Sequence, residues 1–223
     1  MSVTITFLGH AGFSLSDGRH TLIIDPFLTD NPVATVGPDD ITCTYLALTH
    51  GHADHFGDTV SIAKRNDATV IAAFEICNYL EEQGISRTEP GNPGGKIGTP
   101  FGWVAFTQAF HSSSYNGRYM GLPCGLVAHI GGKTVYHCGD TCLFGDMRLI
   151  GEIYQPDIAC VPIGDRFTMG PDLATRAAEL IRPKVAIPMH YNTWPPIEQD
   201  PADFKPRDVE VRVMQPGEVW EYS

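Results

Sequence analysis

Short runs of apolar residues, some of them alternating with polar residues, recur along the whole chain and predict strands. Alternation is clearest near the N-terminus, where the turn pair Asp17-Gly18 joins two short segments as a hairpin. Other runs are continuous but too short for helices, which is typical of buried strands. The predicted strands are 3–8, 13–16, 21–24, 45–48, 70–72, 103–110, 124–130, 133–138, 158–161, 185–187, 210–213 and 218–221.

Helices are predicted between these strands at 58–65, 74–83, 143–154 and 172–181. Gly84 is typical of a position just after a helix, and Pro171 of a first helical turn. The segment 88–102 is rich in Gly and Pro and predicts a surface hairpin loop. Its Gly94-Gly95-Lys96 is not a phosphate-binding loop, because the glycine spacing is one residue short and Ile97 replaces the required Ser or Thr.

Strands and helices interleave along the chain, while hairpins occur toward both ends. This mixture predicts an α+β fold in which two mixed sheets pack together with the helices outside. No segment is long or biased enough to be a linker, so a single domain over 1–223 is expected. With 223 residues and 43% hydrophobic content, the chain can build a substantial core.

The chain is acidic, with 26 Asp and Glu against 15 Lys and Arg and a formal net charge of -11. Nucleic acids and anionic membranes bind basic surfaces, so this balance disfavours both as partners. No segment approaches the roughly 20 apolar residues that span a bilayer. The N-terminus lacks the features of a secretory signal, and the six cysteines show no CxxC spacing. Reduced thiols in a cytoplasmic protein are therefore expected.

The segment Thr49-His50-Gly51-His52-Ala53-Asp54-His55 places three imidazoles and a carboxylate directly after the predicted strand 45–48. Neutral imidazole and carboxylate are ligands of zinc and similar ions. Other metal-competent residues follow other predicted strands, and strand ends can be neighbours however distant they are in sequence. These residues are His111, Asp140 and His190. Together the groups exceed the needs of one tetrahedral ion and suit two ions that share a carboxylate.

The order of these motifs resembles that of the metallo-β-lactamase superfamily. More narrowly, the chain resembles the UPF0173-type metal-dependent hydrolases, a group similar to the ascorbate-6-phosphate lactonase branch. The resemblance covers nearly the whole chain and implies an αββα sandwich with a metal cleft at one sheet edge. The motifs that carry it are His-x-His-x-Asp-His at 50–55, Phe110-His111-Ser112-Ser113-Ser114, Tyr136-His137-Cys138-Gly139-Asp140-Thr141, Pro162-Ile163-Gly164-Asp165 and Pro188-Met189-His190-Tyr191-Asn192-Thr193.

The resemblance also implies a ligand set for two divalent ions, with Zn²⁺ expected and Mn²⁺, Fe²⁺ or Ni²⁺ compatible. One ion would be bound by His50, His52 and His111, and the other by Asp54, His55 and His190. Asp140 would bridge the two ions, and Asp54 and Asp140 would be the catalytic carboxylates. Residue 52 is not the Glu that marks the oxygen-reducing di-iron branch, and the chain lacks the inserted domain of RNA-processing relatives.

Several residues near these motifs have a structural and a functional interpretation. His10 is either a structural loop histidine or a cleft residue that orients the substrate or a metal ligand. Asp25 is either a turn cap or a carboxylate that orients a metal-bound imidazole. Asp165 is either a helix cap or a substrate contact. Substrate contacts are also predicted for Phe167, Tyr191 and Asn192, whereas structural roles are predicted for His20, His129 and His137.

The function predicted from these residues is metal-dependent hydrolysis of a small-molecule substrate by a water that the ions activate. The bond could be an ester, a lactone, an amide or a phosphodiester, because the motifs do not separate these. Two alternatives are a metal-binding or sensing module without turnover, and a nuclease, which the acidic balance disfavours. The sequence leaves the oligomeric state open, and a homo-oligomer is compatible with it.

Overall fold

The computed structural model describes residues 2–223, and two seven-stranded sheets form its centre. The first sheet has the spatial order β16-β1-β2-β3-β4-β5-β6, in which β3 to β6 run parallel. Its strands are β1 (Val3–Gly9), β2 (Gly12–Ser16), β3 (Thr21–Ile24), β4 (Tyr45–Ala47), β5 (Thr69–Ala73), β6 (Thr88–Gly91) and β16 (Val219–Tyr222).

The second sheet has the order β15-β14-β13-β12-β11-β8-β7, in which β12 to β15 run parallel. Its strands are β7 (Lys96–Thr99), β8 (Gly102–Gln108), β11 (Cys124–Ile130), β12 (Lys133–His137), β13 (Ile158–Pro162), β14 (Val185–Met189) and β15 (Glu210–Val211). A separate ribbon is formed by β9 (Ser114–Tyr115) and β10 (Arg118–Tyr119). Because both sheets mix parallel and antiparallel pairs, the expected mixed sheets are confirmed.

Three apolar clusters hold four layers together. Between the sheets, side chains such as Ile5 and Leu15 pack with Leu126 and Ile158. A second cluster packs the outer face of the first sheet against three helices, and a third packs the outer face of the second sheet against two. Each large side chain buried in this way contributes roughly 1.5–3 kcal/mol. The helices are α1 (Ala53–Phe56), α2 (Thr59–Asn66), α3 (Phe74–Glu82), α4 (Met147–Tyr154) and α5 (Pro171–Ile181).

The predicted αββα arrangement is confirmed, but some local predictions are wrong. The segment 88–102 is not a hairpin loop, because its two strands, β6 and β7, pair into different sheets and so link the layers. The histidine motif is not all loop, because α1 begins inside it and carries Asp54 and His55. The helix predicted at 143–154 begins only at Met147, after a turn region.

Parallel strands set the position of the metal-competent residues. Within the first sheet, the C-terminal ends of β3 and β4 lie side by side and are followed by Asp25 and by the histidine motif. Within the second sheet, β12, β13 and β14 lie side by side, and Asp140 and His190 follow the outer two. No helix among residues 2–223 combines the length and apolar character that crossing a bilayer requires.

Candidate metal centre

Eight side chains from both sheets converge at one edge of the sandwich, and we refer to them as the histidine–aspartate cluster. Backbone hydrogen bonds hold the two edges together there, from the His190 N–H to the His10 carbonyl (2.7 Å) and from the Cys124 N–H to the Thr49 carbonyl (3.0 Å). The members of the cluster are His10, His50, His52, Asp54, His55, His111, Asp140 and His190.

One group of ligand atoms is provided by His50, His52 and His111, whose donor atoms lie within 4.8 Å of one another. The Nε2 atom of His50 lies 3.0 Å from Nδ1 of His52. The other nitrogen of the His52 ring lies 3.2 Å from Ser112 Oγ, and that of the His50 ring lies 3.0 Å from Thr49 Oγ1. If both outer nitrogens donate to these hydroxyls, the two inner nitrogens present lone pairs to each other, which a shared cation resolves.

The hydroxyl of Thr49 explains why the His50 ring takes this tautomer. Thr49 Oγ1 lies 2.6 Å from Asp25 Oδ2, so its proton is donated to that carboxylate, and its lone pair is free to accept from His50. The same Asp25 oxygen accepts a hydrogen bond from Nδ1 of His55 at 2.7 Å. One buried carboxylate therefore directs Nε2 of both His50 and His55 toward the cluster.

A second group of ligand atoms is provided by His10, Asp54, His55 and His190, again within 4.8 Å of one another. Asp54 Oδ2 lies 3.1 Å from His10 Nε2, 3.9 Å from His55 Nε2 and 3.7 Å from His190 Nε2. Nδ1 of His10 lies 2.7 Å from Thr193 Oγ1. The Thr193 hydroxyl can donate a hydrogen bond to Nδ1. The His10 ring then carries its own proton on Nε2 and donates it to Asp54.

Asp140 lies between the two groups. Its Oδ2 atom is 3.0 Å from Nε2 of His190 and 3.5 Å from Nε2 of His111, and its Oδ1 atom is 3.3 Å from Nε2 of His55. Among residues 2–223, Asp140 Oδ1, His55 Nε2 and both ring nitrogens of His190 are buried without a hydrogen-bond partner. Buried polar atoms normally have partners, so these atoms fit a site for divalent ions.

Burial keeps most of the imidazoles in the neutral form that binds metals. Loss of solvation lowers the pKa of His10 to about 4 and holds the pKa of His50 well below its ordinary value. The same cause lowers the pKa values of His52 and His111. Neutral imidazole presents a lone pair, so these rings are ready to bind an ion without first losing a proton.

Close to Asp140, by contrast, the charged forms of the side chains are favoured. Burial alone would raise the pKa of Asp140, but His190 and His55 hold it well below its ordinary value. Burial likewise opposes a charge on His190, but Asp140 outweighs it and raises the pKa of that imidazole to about 9. This half of the cluster therefore favours positive charge, which a metal ion can supply in place of protons.

The cluster is open to solvent on one side only. The side chain of Asp54 is 27% exposed and that of His111 is 14% exposed, whereas His50, His55 and His190 are buried. A small molecule can therefore reach the ligand groups across Asp54, His52 and His111.

Sequence comparisons show the family to which the chain belongs. The sequence profile of the beta-lactamase superfamily domain matches residues 20–191. A UPF0173 metal-dependent hydrolase from Carboxydothermus hydrogenoformans is 48% identical over 222 residues, which cover 96% of this chain and 98% of that protein. A second from Thermus thermophilus is 47% identical over 97% of this chain and 98% of its own length. The chain belongs to the UPF0173 group of metal-dependent hydrolases.

Solved structures extend the comparison of this UPF0173 hydrolase to the fold. Igni18, a metallo hydrolase from Ignicoccus hospitalis, superposes with a TM-score of 0.92 at 37% identity and covers 100% of this chain and 99% of its own. An isothiocyanate hydrolase from Delia radicum gut bacteria has a TM-score of 0.77 at 19% identity, with 99% of both chains covered, and shows the shared fold alone. The resemblance and the enzyme class predicted from the sequence are confirmed.

The structure brings some of the predicted substrate-binding residues to the cluster and leaves others away from it. His10 is part of the cluster, and Asp25 supports it from behind. Among residues 2–223, no hydrogen bond or ion pair links Asp165, Phe167 or Asn192 to the cluster. The Asp165 carboxylate lies near Gly170 at the start of α5, and Phe167 is exposed beside Arg166.

Tyr191 and Asn192, which directly follow His190, make structural contacts. Asn192 is exposed and accepts a hydrogen bond from the Gln199 N–H at 2.8 Å. Tyr191 is half-buried and packs against the apolar cluster beneath the second sheet. Substrate contacts for Asp165, Phe167, Tyr191 and Asn192 therefore remain predictions from the sequence.

Sequence reasoning missed the role of two threonines. Both threonines are buried. The Thr49 hydroxyl contacts Nδ1 of His50, and the Thr193 hydroxyl contacts Nδ1 of His10. Each threonine lies within a motif, Thr49 immediately before His50 and Thr193 three residues after His190, and this position is the only signal that the sequence offers. The structural role predicted for His137 agrees with its hydrogen bonds to the Ala11 carbonyl and the Gly139 N–H.

Proposed function

We propose that this hydrolase cleaves an ester, lactone or amide bond of a small molecule at a site for two divalent ions, most simply Zn²⁺. The observation that carries the proposal is the set of buried ligand atoms without partners, Asp140 Oδ1, His55 Nε2 and His190 Nε2, next to the His50–His52 pair. We assign His50, His52 and His111 to one ion, Asp54, His55 and His190 to the other, and Asp140 to both.

Bound divalent ions supply two effects in such a site: they lower the pKa of a water and polarise the carbonyl oxygen under attack. The protein's part is to hold the ligand atoms rigidly, which Asp25, Thr49 and Ser112 do by fixing the outer nitrogens of three rings. A catalytic site needs this preorganisation, because small displacements of the reacting groups are costly.

The reaction balances with water alone. Water adds to the carbonyl carbon, the bond from that carbon to the leaving oxygen or nitrogen breaks, and a proton moves to the leaving group. Asp54 is the carboxylate at the open side, and its contacts to His10, His55 and His190 all use Oδ2. Its Oδ1 atom is therefore available to accept the proton of the attacking water and to pass it on.

The opening of the cluster favours turnover over a metal-binding or sensing module. A module without turnover would have protein groups covering the coordination sites, whereas here Asp54 and His111 are in contact with solvent. The alternative of a nuclease or phosphodiesterase is disfavoured by the net charge of -11, because a polyanion would be repelled.

The test is elemental analysis of protein loaded with Zn²⁺ or Mn²⁺, followed by assays with p-nitrophenyl esters, a lactone, an anilide and bis(p-nitrophenyl) phosphate. We expect about two ions per chain and hydrolysis of an acyl substrate that a chelator abolishes. The Asp140→Ala variant should fold but lose turnover, since its carboxylate is shared by both groups. Normal activity after complete removal of metal would contradict the proposal, and so would full turnover in Asp140→Ala.

A further inference from the structure

The open side of the cluster is bordered by apolar side chains. Phe110, directly before His111, is 51% exposed, and its ring lies 5.2 Å from that of Phe144. The Phe110 N–H donates to Thr141 Oγ1 at 3.0 Å, next to Asp140. This aromatic pair is therefore fixed at the His111 side of the opening.

A further aromatic side chain lies beside His10, in the other group of ligand atoms. The ring of Trp194 is 4.9 Å from that of His10, which hydrogen-bonds Asp54, and it is only half-buried. Trp194 follows Thr193, the residue that fixes His10. Separate segments thus place aromatic side chains beside members of the two ligand groups, and we refer to Phe110, Phe144 and Trp194 as the apolar rim.

Among residues 2–223, no Lys or Arg hydrogen-bonds or forms an ion pair with a member of the histidine–aspartate cluster. Arg166 follows β13 at the same edge of the second sheet, but its guanidinium lies over the Phe167 ring at 5.5 Å. A phosphate or carboxylate that lies on the substrate away from the ions would therefore find no Lys or Arg held at the cluster.

We propose that the substrate is an uncharged ester or lactone with an apolar or aromatic group that lies on the apolar rim while its carbonyl faces the cluster. This inference rests on the proposed function and narrows it: sugar phosphates and other anionic substrates are excluded as preferred substrates. Apolar contact would also make the enzyme select substrates by chain length, because each methylene removed from water adds a similar amount of binding free energy.

The first test compares p-nitrophenyl esters with acyl chains from acetyl to octanoyl, using one preparation of metal-loaded protein. The leaving group is constant, so the series isolates the contact of the acyl chain. We expect kcat/KM to rise by about two- to fourfold per methylene until the rim is covered. The hemisuccinate ester, of similar length but with a terminal carboxylate, should fall below butyrate.

The second test removes parts of the rim. Phe110→Ala and Trp194→Ala should flatten the chain-length series, so that the octanoyl and acetyl esters differ less in kcat/KM than in the parent, while the metal content changes little. Ile153→Ala is the matched control, because Ile153 is an exposed apolar residue of α4 outside the rim, and it should leave the series unchanged. Arg166→Gln should also leave every substrate unchanged.

The outcomes separate this inference from the proposed function. Ester hydrolysis with a flat or falling chain-length series overturns the apolar substrate class alone. So does preference for the anionic ester, above all if Arg166→Gln removes it. Hydrolysis of the anilide alone overturns the substrate class but not the proposed function. Absence of any ester, lactone or anilide hydrolysis by protein that holds its metal overturns both.

Discussion

At the scale of single residues, the chemistry of the cluster depends on side chains that do not face the opening. Asp25 receives hydrogen bonds from the Thr49 N–H at 2.9 Å, the Thr49 hydroxyl at 2.6 Å and His55 Nδ1 at 2.7 Å. Through Thr49 it also determines the tautomer of His50. Since His50 and His55 belong to different proposed ion sites, one carboxylate orients ligands of both.

Replacing Thr49 should therefore weaken metal binding without removing a ligand. We predict that Thr49→Val lowers metal affinity by about 10–100-fold, the range typical for lost partners of ligating histidines. Competition with a chromophoric chelator measures the affinity. Thr49→Ser keeps the hydroxyl and should restore most of it. Equal losses in the valine and serine variants would show that packing, rather than the hydrogen bond to His50, matters.

His10 tests whether a buried histidine orients a ligand or is one. The chain Thr193–His10–Asp54 satisfies every polar hydrogen if Nε2 of His10 donates to Asp54. We predict that His10→Ala weakens binding of one ion equivalent by about 10–100-fold. His10→Gln keeps a donor for Asp54 and should stay within a fewfold of the parent. Metal titration with visible spectra of the Co²⁺ form measures both. A glutamine variant that loses the ion as alanine does would identify His10 as a ligand.

At the scale of elements, the cluster depends on how closely a loop packs against the histidine motif. Gly51 faces Met120 from the loop that carries β9 and β10, and the Gly51 N–H donates to Ser113 Oγ at 3.1 Å. The adjacent Ser112 reaches His52. This loop therefore holds the histidine motif in place on one side, and β4 leads directly into the motif. The same loop also carries His111.

A methyl group at this contact should disturb both stability and metal binding. We predict that Gly51→Ala destabilises the protein by about 1–3 kcal/mol, because Met120 has no free space to move into. Thermal unfolding measures the stability. Competition with a chelator measures the affinity for the ion assigned to His50, His52 and His111. The control is Gly145→Ala, where no atom lies within 4 Å of the added carbon. In a Met120→Gly background, which removes both the Cβ and the Cγ that the new methyl would meet, Gly51→Ala should cost less stability than in the parent. An equal cost would count against this packing account.

At the scale of the whole molecule, bound ions should stabilise the folded state by mass action. An ion at about 100 times its dissociation constant contributes about 2.7 kcal/mol. We predict that removing metal lowers the midpoint of thermal unfolding, and that restoring Zn²⁺ or Mn²⁺ raises it again. Asp140→Ala should respond much less than the parent protein. Calorimetry of both proteins with and without chelator measures the effect, and equal midpoints with and without metal in the parent would contradict it.

Much of this fold could be predicted from the chain itself, because apolar runs such as 124–130 and 158–161 occur where buried strands lie. The strands β6 and β7 were not recognised, since their polar and glycine-rich sequence carries no strand pattern and edge pairing alone forms them. Among the site residues, histidines and aspartates signal metal binding by their chemistry. Thr49 and Trp194 carry no such signal, and only tertiary packing reveals what they touch.

The two sheets contribute to the cluster in a fixed order along the chain. The first sheet supplies His10 and the motif at 50–55 early, whereas His190 comes only after the last long strand of the second sheet. During synthesis, the ribosome therefore makes the histidine motif well over a hundred residues before it reaches His190, the last of the proposed ligands. A chain stalled between them contains the histidine motif but not the residue that completes the proposed site. Under this assignment, only molecules synthesised past His190 can bind both ions.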